Sequence, residues 1–566
     1  MTQASAELSP SLHSLPEATL RKLQTLLTKS KKHADSGDWA SASKYLVEAW
    51  NLNPRDFDLL VAVAEGLGKL GVRRQALEVL EQALAIHGPK ADVLAVLGNL
   101  ASDLEMYDTM EKIYRIYIPL KPDDPTGYNN LASALEKQDK LDEAIDFLQE
   151  VIPLFPDIAS LWNTIGTAVS LRDGYKASIP FYSEAYRLAP ESYNVLNNIS
   201  LAYEHSGNHK QAIQFAKKAI KVNFKNWNAH MGLSSSALAT GDLRTGWREY
   251  EWRNKPGAAN ALYYTHEHAD WKGESLAGKR LLICPEQGLG DEILFAASYP
   301  RLTAEAEQLY IGCDRRLVTL YQRSFPTAVI GAYGDGFHNS YRYRSMPTLQ
   351  KDLPPADRAI ACGSVPLHRW KSVASIPDNV DGFLIPDPER LAVWRTRLAD
   401  LGPKPKIGIY WRSGKQNARR NKHYAPIEVW GPVFAAFPDV DFINLQYGDC
   451  ADELALVRDQ FGATIHQWDD ANLRDDLETV AALSKAVDLV IGPASAPGMF
   501  SFAVGTPTWW LLPTRPWWSF GANEVTPFFS KGRMLIGSID DPWDGLIPRL
   551  IQDLRGYLDQ NRSGSL

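Results

Sequence analysis

A 34-residue period constrains this chain more than any other feature. Ala42, Ala76, Met110, Ala144, Ser178, Ala212 and Gly246 recur at that interval, and all but Met110 are no larger than serine. A small residue held at one phase of so long a period marks paired helices that approach closely and stack as repeats. Pro54, Pro122, Pro156 and Pro190 each follow the small position by twelve residues, with Pro89 displaced by one. Proline lacks the backbone donor and clashes with the preceding turn, so these positions end the second helix of each unit. The spacing predicts about seven helical pairs over 20–256, after an extension over 1–19. Stacked, they form a superhelix with an extended concave face.

Around these anchors the units resemble tetratricopeptide repeats, best seen in Trp162, Ile165, Gly166, Tyr182, Ala185 and Pro190. Such arrays usually bind a polypeptide. Asn129-Asn130, Asn163 and Asn197-Asn198 recur near the start of successive first helices. An amide offers donors and an acceptor to an extended backbone, so Asn130, Asn163 and Asn197 are candidate acceptor-binding residues; exposed or capping roles stay open. The last unit reads GDLRTGWREYEWRNKP. A terminal repeat must seal the array, and Trp247, Tyr250 and Trp252 are expected to dock it onto the neighbouring C-terminal region.

Bulk composition narrows the class. At 566 residues the chain is too long for one core. A net charge of −7 argues against a nucleic-acid partner. Cys284, Cys313, Cys362 and Cys450 lie far apart, without the spacing of a metal site. The first twenty residues lack a basic start followed by an apolar stretch, and no apolar window is long enough to span a bilayer. The expectation is a cytoplasmic protein with no membrane span and no metal.

After Pro256 the helical period stops. RLLICPEQ, QLYIGC, KIGIYW, DFINLQY, LVIG and TWWLLP read as buried strands, alternating with helical ERLAVWRTRLADL and LETVAALSKAV. That alternation predicts two parallel α/β sets, over 279–375 and 406–566, with a linker at 257–278 and a connector at 376–405. Ligands of such domains bind at the carboxyl ends of the strands. The first strand runs into Glu286-Gln287-Gly288-Leu289-Gly290-Asp291-Glu292. Gly288 and Gly290 let the backbone approach a ligand, and a helix start favours anionic groups. Asp291 faces the cleft as a candidate base, although Asp also caps any helix well. In the second set, Arg412, Lys415, Arg419, Arg420, Lys422 and His423 share one loop. In an acidic chain this is either an anion site or a solvated basic loop. Gln446 and Tyr447 end another strand, where a base or ribose could be held.

QGLGDEILFA resembles the corresponding loop of the heptosyltransferase-like, metal-independent GT-B glycosyltransferases, and the resemblance covers 278 to the C-terminus. It implies two Rossmann-like halves, no metal or cofactor beyond a nucleotide-sugar co-substrate, and Asp291 as general base on the acceptor hydroxyl. Glu286 and Glu292 are the fallback bases. The basic loop, Arg412 and Lys415 first, would contact the donor phosphate. LVIGPASAPGMFSFAVGTP is similar to the family's donor-facing segment, which places Ser495, Ala496 and Gly498 at the donor. It departs from that pattern: Ala494 stands where the family has Asp, and Met499 where it has His.

The whole organisation resembles bacterial tetratricopeptide proteins fused to a glycosyltransferase, including those proposed to modify flagellin. That resemblance implies transfer of a nonulosonic acid such as pseudaminic acid, carried on CMP, to Ser or Thr of a protein acceptor. A scaffold with a degenerate transferase domain, and a transferase acting on lipid-linked or free saccharide, are the alternatives.

Overall fold

A computed structural model describes residues 15–258, 260–338, 341–350, 353–414, 423–538 and 542–562. The chain divides into two compact units, Met1–Pro190 and Glu191–Leu566. The first is helical: α1 Glu17–Asp35, α2 Trp39–Leu52, α3 Phe57–Lys69, α4 Arg73–His87, α5 Ala91–Asp103, α6 Tyr107–Leu120, α7 Pro125–Lys137, α8 Leu141–Val151, α9 Ala159–Arg172 and α10 Tyr175–Leu188. The second opens with two more pairs, α11 Tyr193–His205 with α12 His209–Val222, and α13 Trp227–Ala239 with α14 Leu243–Tyr250.

The small position is the fourth residue of every second helix, and it is buried in each. Its counterpart lies twelve residues earlier, a second small phase that the 34-residue spacing argument left aside: Ser30, Ala64, Gly98, Ala132, Gly166, Ser200 and Ser234, all buried. Small residues on both helices let the two backbones approach. Where the first-helix residue is serine, its hydroxyl donates to the carbonyl of its counterpart: Ser30 to Ala42 at 3.0 Å, Ser200 to Ala212 at 2.9 Å, Ser234 to Gly246 at 2.8 Å. Where it is glycine, a tyrosine fills the space. A Cβ at Gly98 would stand 2.7 Å from the Tyr114 ring, and one at Gly166 would stand 2.8 Å from Tyr182. The bulky Met110 has Gly98 as its counterpart, so the size exception is compensated.

The turn inside each pair needs a left-handed residue. Gly37, Gly71, Gly207 and Gly241 supply it, but at the same phase the chain carries Glu105 (φ 56°) and Asp139 (φ 63°). A side chain there meets steric cost that glycine avoids. The Glu105–Arg73 ion pair, 2.7 Å and well exposed, offsets little of it. Glu105→Gly is therefore expected to stabilise the first unit by about 0.5–1 kcal/mol; urea unfolding of the variant checks this, and a lower midpoint would refute it.

Among the described residues, the α/β part of the second unit holds three sheets. The first is parallel, in the order β4-β3-β2-β7, from β2 Arg280–Cys284, β3 Gln308–Cys313, β4 Val329–Ala332 and β7 Arg358–Ala361. The second has the order β10-β9-β8-β11-β12-β14-β13. Its strands are β8 Lys406–Ile409, β9 Asp441–Asn444, β10 Ile465–His466, β11 Leu489–Gly492, β12 Thr508–Leu512, β13 Val525–Thr526 and β14 Phe529–Ile536. All its pairings are parallel except β13 with β14. The two expected α/β sets are thus present. The stretch expected as a linker, 257–278, is instead part of the fold. Its β1 Leu262–Tyr264 pairs with β6 Tyr341–Ser345, which forms a hairpin with β5 Gly334–His338, and Asp270 bridges to Ala359 beside β7. The connector carries one helix, Pro388–Ala399, capped by Asp387. No helix among the described residues is long and apolar enough to cross a membrane.

The closing repeat docks as its aromatics predict, with one exception. Trp247 is buried among Phe295, Trp370, Trp517 and Phe520, with ring centroids 5.7–6.2 Å away. Tyr250 joins Phe295 and Trp517. Trp252 turns back on the repeats and stacks on His230 at 3.8 Å.

Candidate functional site

Strand order locates the crevices. In the first sheet the chain steps from β2 to β3 and β4 on one side and later adds β7 on the other, so the loops after β2 and β7 part at the sheet's switch point. In the second sheet the same parting separates the loops after β8 and β11. Ligands of parallel α/β sheets sit at such points.

The loop after β2 leads into the helix Leu289–Ala296, with Gly288 as its extended N-cap residue. Asp291 lies in the first turn, partly buried, and its carboxylate makes no hydrogen bond to any described residue. A Cβ at Gly288 would stand 3.4 Å from Asp291 Oδ2, and one at Gly290 would stand 3.9 Å from both Ala496 Cα and Met499 Cγ. The helix after β2 and the helix after β11 therefore meet at Gly290. Burial, reinforced by the Glu286 charge and opposed by Arg253, pushes the Asp291 carboxyl up to about 7. A carboxyl poised near neutrality can accept a proton and release it.

The two fallback bases are placed differently. Glu286 is 1% exposed. Its Oε1 accepts from Arg253 Nη2 at 2.6 Å, Arg253 Nε at 3.1 Å and the Gly363 amide at 3.1 Å. It clamps the loop after β2 to the loop after β7 and is spent as a counter-ion. Glu292 is 2% exposed, accepts the Asp314 amide at 3.0 Å and faces Arg344 at 3.5 Å. Burial pushes it up to about 8, against the Asp314 amide and Arg344. Neither reaches the crevice as a free base.

Arg253, which sequence reasoning missed, follows the closing repeat in the turn Glu251–Asn254. Besides Glu286 it donates to Ser364 Oγ at 2.9 Å and Glu251 at 3.0 Å, and its guanidinium lies 4.4 Å from the Tyr250 ring centroid. Its main partner is 33 residues away, at no helical or strand spacing. Arg344, also missed, donates to the Glu286 carbonyl and stacks on Tyr333.

In the second sheet, Arg412 forks onto Glu453 and donates to the Asp449 carbonyl. It organises the loop after β8; its charge is matched. Gln446 is 1% exposed: its Oε1 accepts from the Trp411 and Arg412 amides at 3.1 and 3.0 Å, and its Nε2 donates to the Tyr447 carbonyl. Tyr447 accepts the Gly414 amide at 2.9 Å. These three bind one another first. Gln446 and Tyr447 also line a pocket of about 420 Å³ beyond β9 and β10, with Asn444, Gln467 and Trp468. Lys415 and Arg419, with Arg420 and Lys422, lie outside the described residues.

Ser495 starts the helix Ala496–Ala503 without a capping bond, and its covered Oγ has no partner among the described residues. Ala496 touches the Gly290 side. Gly498 faces inward: a Cβ there would stand 2.2 Å from the Tyr410 hydroxyl and 2.6 Å from Trp510 Nε1, and its amide is engaged by Tyr410. It is a packing glycine, unlike the anion-binding one expected from the sequence.

Among the repeat asparagines, Asn130 donates to Tyr114 Oη at 2.7 Å, which in turn donates to Asn99 at 2.9 Å. Asn129 accepts from Thr164 at 2.8 Å. This polar chain ties successive repeats together, so Asn130 already serves the array. Asn163 and Asn197 fall at the phase of Asn129, one residue before that of Asn130, on α9 and α11, and are partly buried.

Tetratricopeptide-repeat models match residues 126–154 and 193–226. Among solved structures, a tetratricopeptide repeat protein from Parabacteroides merdae is 15% identical, covering 41% of this chain and 91% of that one at a TM-score of 0.32. YrrB, described as a TPR protein with an unusual peptide-binding site, is 18% identical over 33% of this chain and 97% of its own, at 0.23. Protein FlbA of Caulobacter vibrioides is 33% identical over 529 residues, spanning 92% of this chain and 88% of that protein, repeats and α/β part together. With the two lengths matched so fully, the chain belongs to the family of Protein FlbA.

Proposed function

We propose that this chain is a protein O-glycosyltransferase: the repeats capture a protein acceptor, and the α/β part transfers a sugar from a nucleotide-sugar to a Ser or Thr hydroxyl. One observation carries the reading. Asp291, unpaired among the described residues and held near neutrality, stands at the switch point of one sheet, next to Gly290, which meets the helix Ala496–Ala503 of the other. The acceptor oxygen attacks the anomeric carbon and its proton passes to Asp291. The bond from that carbon to the nucleotide phosphate breaks, and the electron pair leaves with the phosphate. A hydroxyl is a poor nucleophile until its proton departs, which is why a base matched to the working pH is needed. The GT-B resemblance of the QGLGDE loop supports the same chemistry. It suggests flagellin as the first acceptor to try and a CMP-linked nonulosonic acid as the first donor.

A second reading, a binding protein without transfer, is favoured by the matched charge of Arg412 and by Ala494 and Met499 at positions where the resembling family carries Asp and His. Calorimetry of the full chain with CMP, UDP, GDP and ADP separates the two. One nucleotide is expected to bind with micromolar affinity, about −8 kcal/mol; if none of the four binds, the binding-protein reading replaces this one.

A further inference from the structure

The β1-β6-β5 sheet supplies no group to the chemistry at Asp291, yet it is fastened to the loop that leads there. Tyr264 on β1 donates to the Pro285 carbonyl at 2.8 Å, and Arg344 on β6 donates to the Glu286 carbonyl. Asn254 Oδ1, in the turn after the closing repeat, accepts the Leu262 amide of β1 at 3.2 Å and Gln287 Nε2 at 3.3 Å. Only Tyr333 separates β5 from β4, and its amide donates to the Cys313 carbonyl at 3.0 Å. The hairpin therefore rises from the carboxyl end of the first sheet, where the crevice opens. All these elements belong to the second unit.

β5 is the outer strand of this sheet, and all five of its residues, Gly334–His338, are exposed. Among the described residues its backbone groups bond only within the hairpin with β6. Proteins usually blunt such an edge with lysine, proline or a bulge. The GDGFH strand has neither residue, and its register runs unbroken from Gly334 opposite Ser345 to His338 opposite Tyr341. The Asp335 carboxylate is spent within the hairpin, on Arg342 at 2.9 Å and Arg344 at 3.1 Å. The register also puts Gly334 and Gly336 on the face that carries Tyr263, Tyr341 and Tyr343. The Tyr263 ring lies 5.4 Å from that of Tyr341 and 5.5 Å from that of Tyr343, while a Cβ at Gly336 would meet nothing within 4 Å. Glycine inside an unbulged strand admits close approach by another backbone, and side chains of an added strand would have room to lie across the glycines onto those rings. On the opposite face Phe337 is 76% exposed, more than any other large apolar side chain among the described residues.

We propose that β5 receives an extended polypeptide as an added strand, and that this polypeptide is the segment of the acceptor that carries the modified hydroxyl. An open ladder of amides and carbonyls is matched by another extended backbone, with side-chain packing on the tyrosines and Phe337 adding preference. The added strand would lie about 10 Å from β6, two strand spacings, beside the loop leading to Asp291. The repeats would hold the acceptor at large, and β5 would align the stretch to be modified. That role rests on the transferase reading; the pairing itself does not.

Hydrogen exchange on the full chain, read by mass spectrometry, tests the pairing. The probe is a capped heptapeptide in which Thr and Val alternate around a central Ser, used at millimolar concentration. It should slow exchange in Gly334–His338, whereas the same peptide N-methylated at every residue, which keeps the side chains and loses the donors, should not. Gly336→Lys puts a charge into the open space beside the edge and should weaken protection by the first peptide at least tenfold. The N-methylated control alters no residue of the protein, so the comparison stands even if that substitution disturbs the hairpin. Equal protection by the two peptides, or none by either, would overturn the proposal. So would protection that appears without peptide as protein concentration rises, because a second copy of the chain would then be the occupant. Calorimetry with the four nucleotides keeps the two readings apart: a nucleotide that binds while β5 stays unprotected removes the strand pairing alone, and a protected β5 with no nucleotide bound upholds the pairing and removes transfer.

Discussion

Asp291→Asn is expected to lower sugar transfer about 10²–10⁴-fold, the usual contribution of a general base, while acceptor capture and nucleotide binding persist. The unaltered chain should show kcat/KM rising with pH and levelling off above about 7, because the carboxyl must be ionised to take the proton. The same shift has a stability side. A carboxyl raised from 3.8 to about 7 in the folded state binds protons more tightly folded than unfolded. The resulting penalty is absent below about pH 4, grows as pH rises, and is complete above about pH 7. Asn removes that charge, so the variant should be more stable than the parent at pH 8, by about 1–3 kcal/mol, with the gain fading toward pH 4. Thermal unfolding across that range, run beside the transfer assay, reads both. Full activity in Asp291→Asn would remove the residue as base, and a pH-independent stability difference would show that its carboxyl is not raised.

Arg253→Met should be the most destabilising single change near the site. It leaves Glu286 buried without its cation, a loss of about 3–5 kcal/mol for a broken buried pair. The double variant Arg253→Met, Glu286→Leu should regain most of that loss, since removing both charges leaves nothing uncompensated. Arg253 also holds the Asp291 carboxyl down. Any activity left in Arg253→Met should therefore need a higher pH than the parent. Denaturant unfolding of the two single variants and the double gives the coupling. If the double is no more stable than Arg253→Met, the pair is not what joins the closing turn to the loop after β2.

The periodic part of this fold was legible because repetition amplifies a weak signal. One small residue means little, but six small residues in seven positions at one spacing define the crossing point of the helix pairs. The companion phase at Ser30 through Ser234 was harder to see, since three residue types share it and the chemistry differs with each: a hydroxyl that bonds a carbonyl, or a glycine that admits a tyrosine. The parallel strands β2, β3, β8, β9, β11 and β12 declared themselves as apolar runs, whereas β4, β7, β10 and β14 did not. The β1-β6-β5 sheet did not, because its LYY, YRYRS and GDGFH strands are short and mostly polar or exposed. Asp291 and its loop could be found from the glycines and the strand before them. What Glu286, Arg412 and Gln446 do could not, because each is decided by a partner distant in sequence. A cation in a loop reads as available until Glu453 is seen beside it.

The break between compact units falls at Pro190, inside the repeat run, while Trp247 and Arg253 bind the last two helix pairs to the α/β part. This sets where the gene can be cut and rejoined. A crossover near codon 190 would exchange α1–α10, and whatever they recognise, as one cassette. A crossover near codon 256 would part an arginine from its glutamate and strand a tryptophan from its socket. The first five pairs are thus open to exchange by recombination, whereas α11–α14 must be inherited together with the sheets they seal.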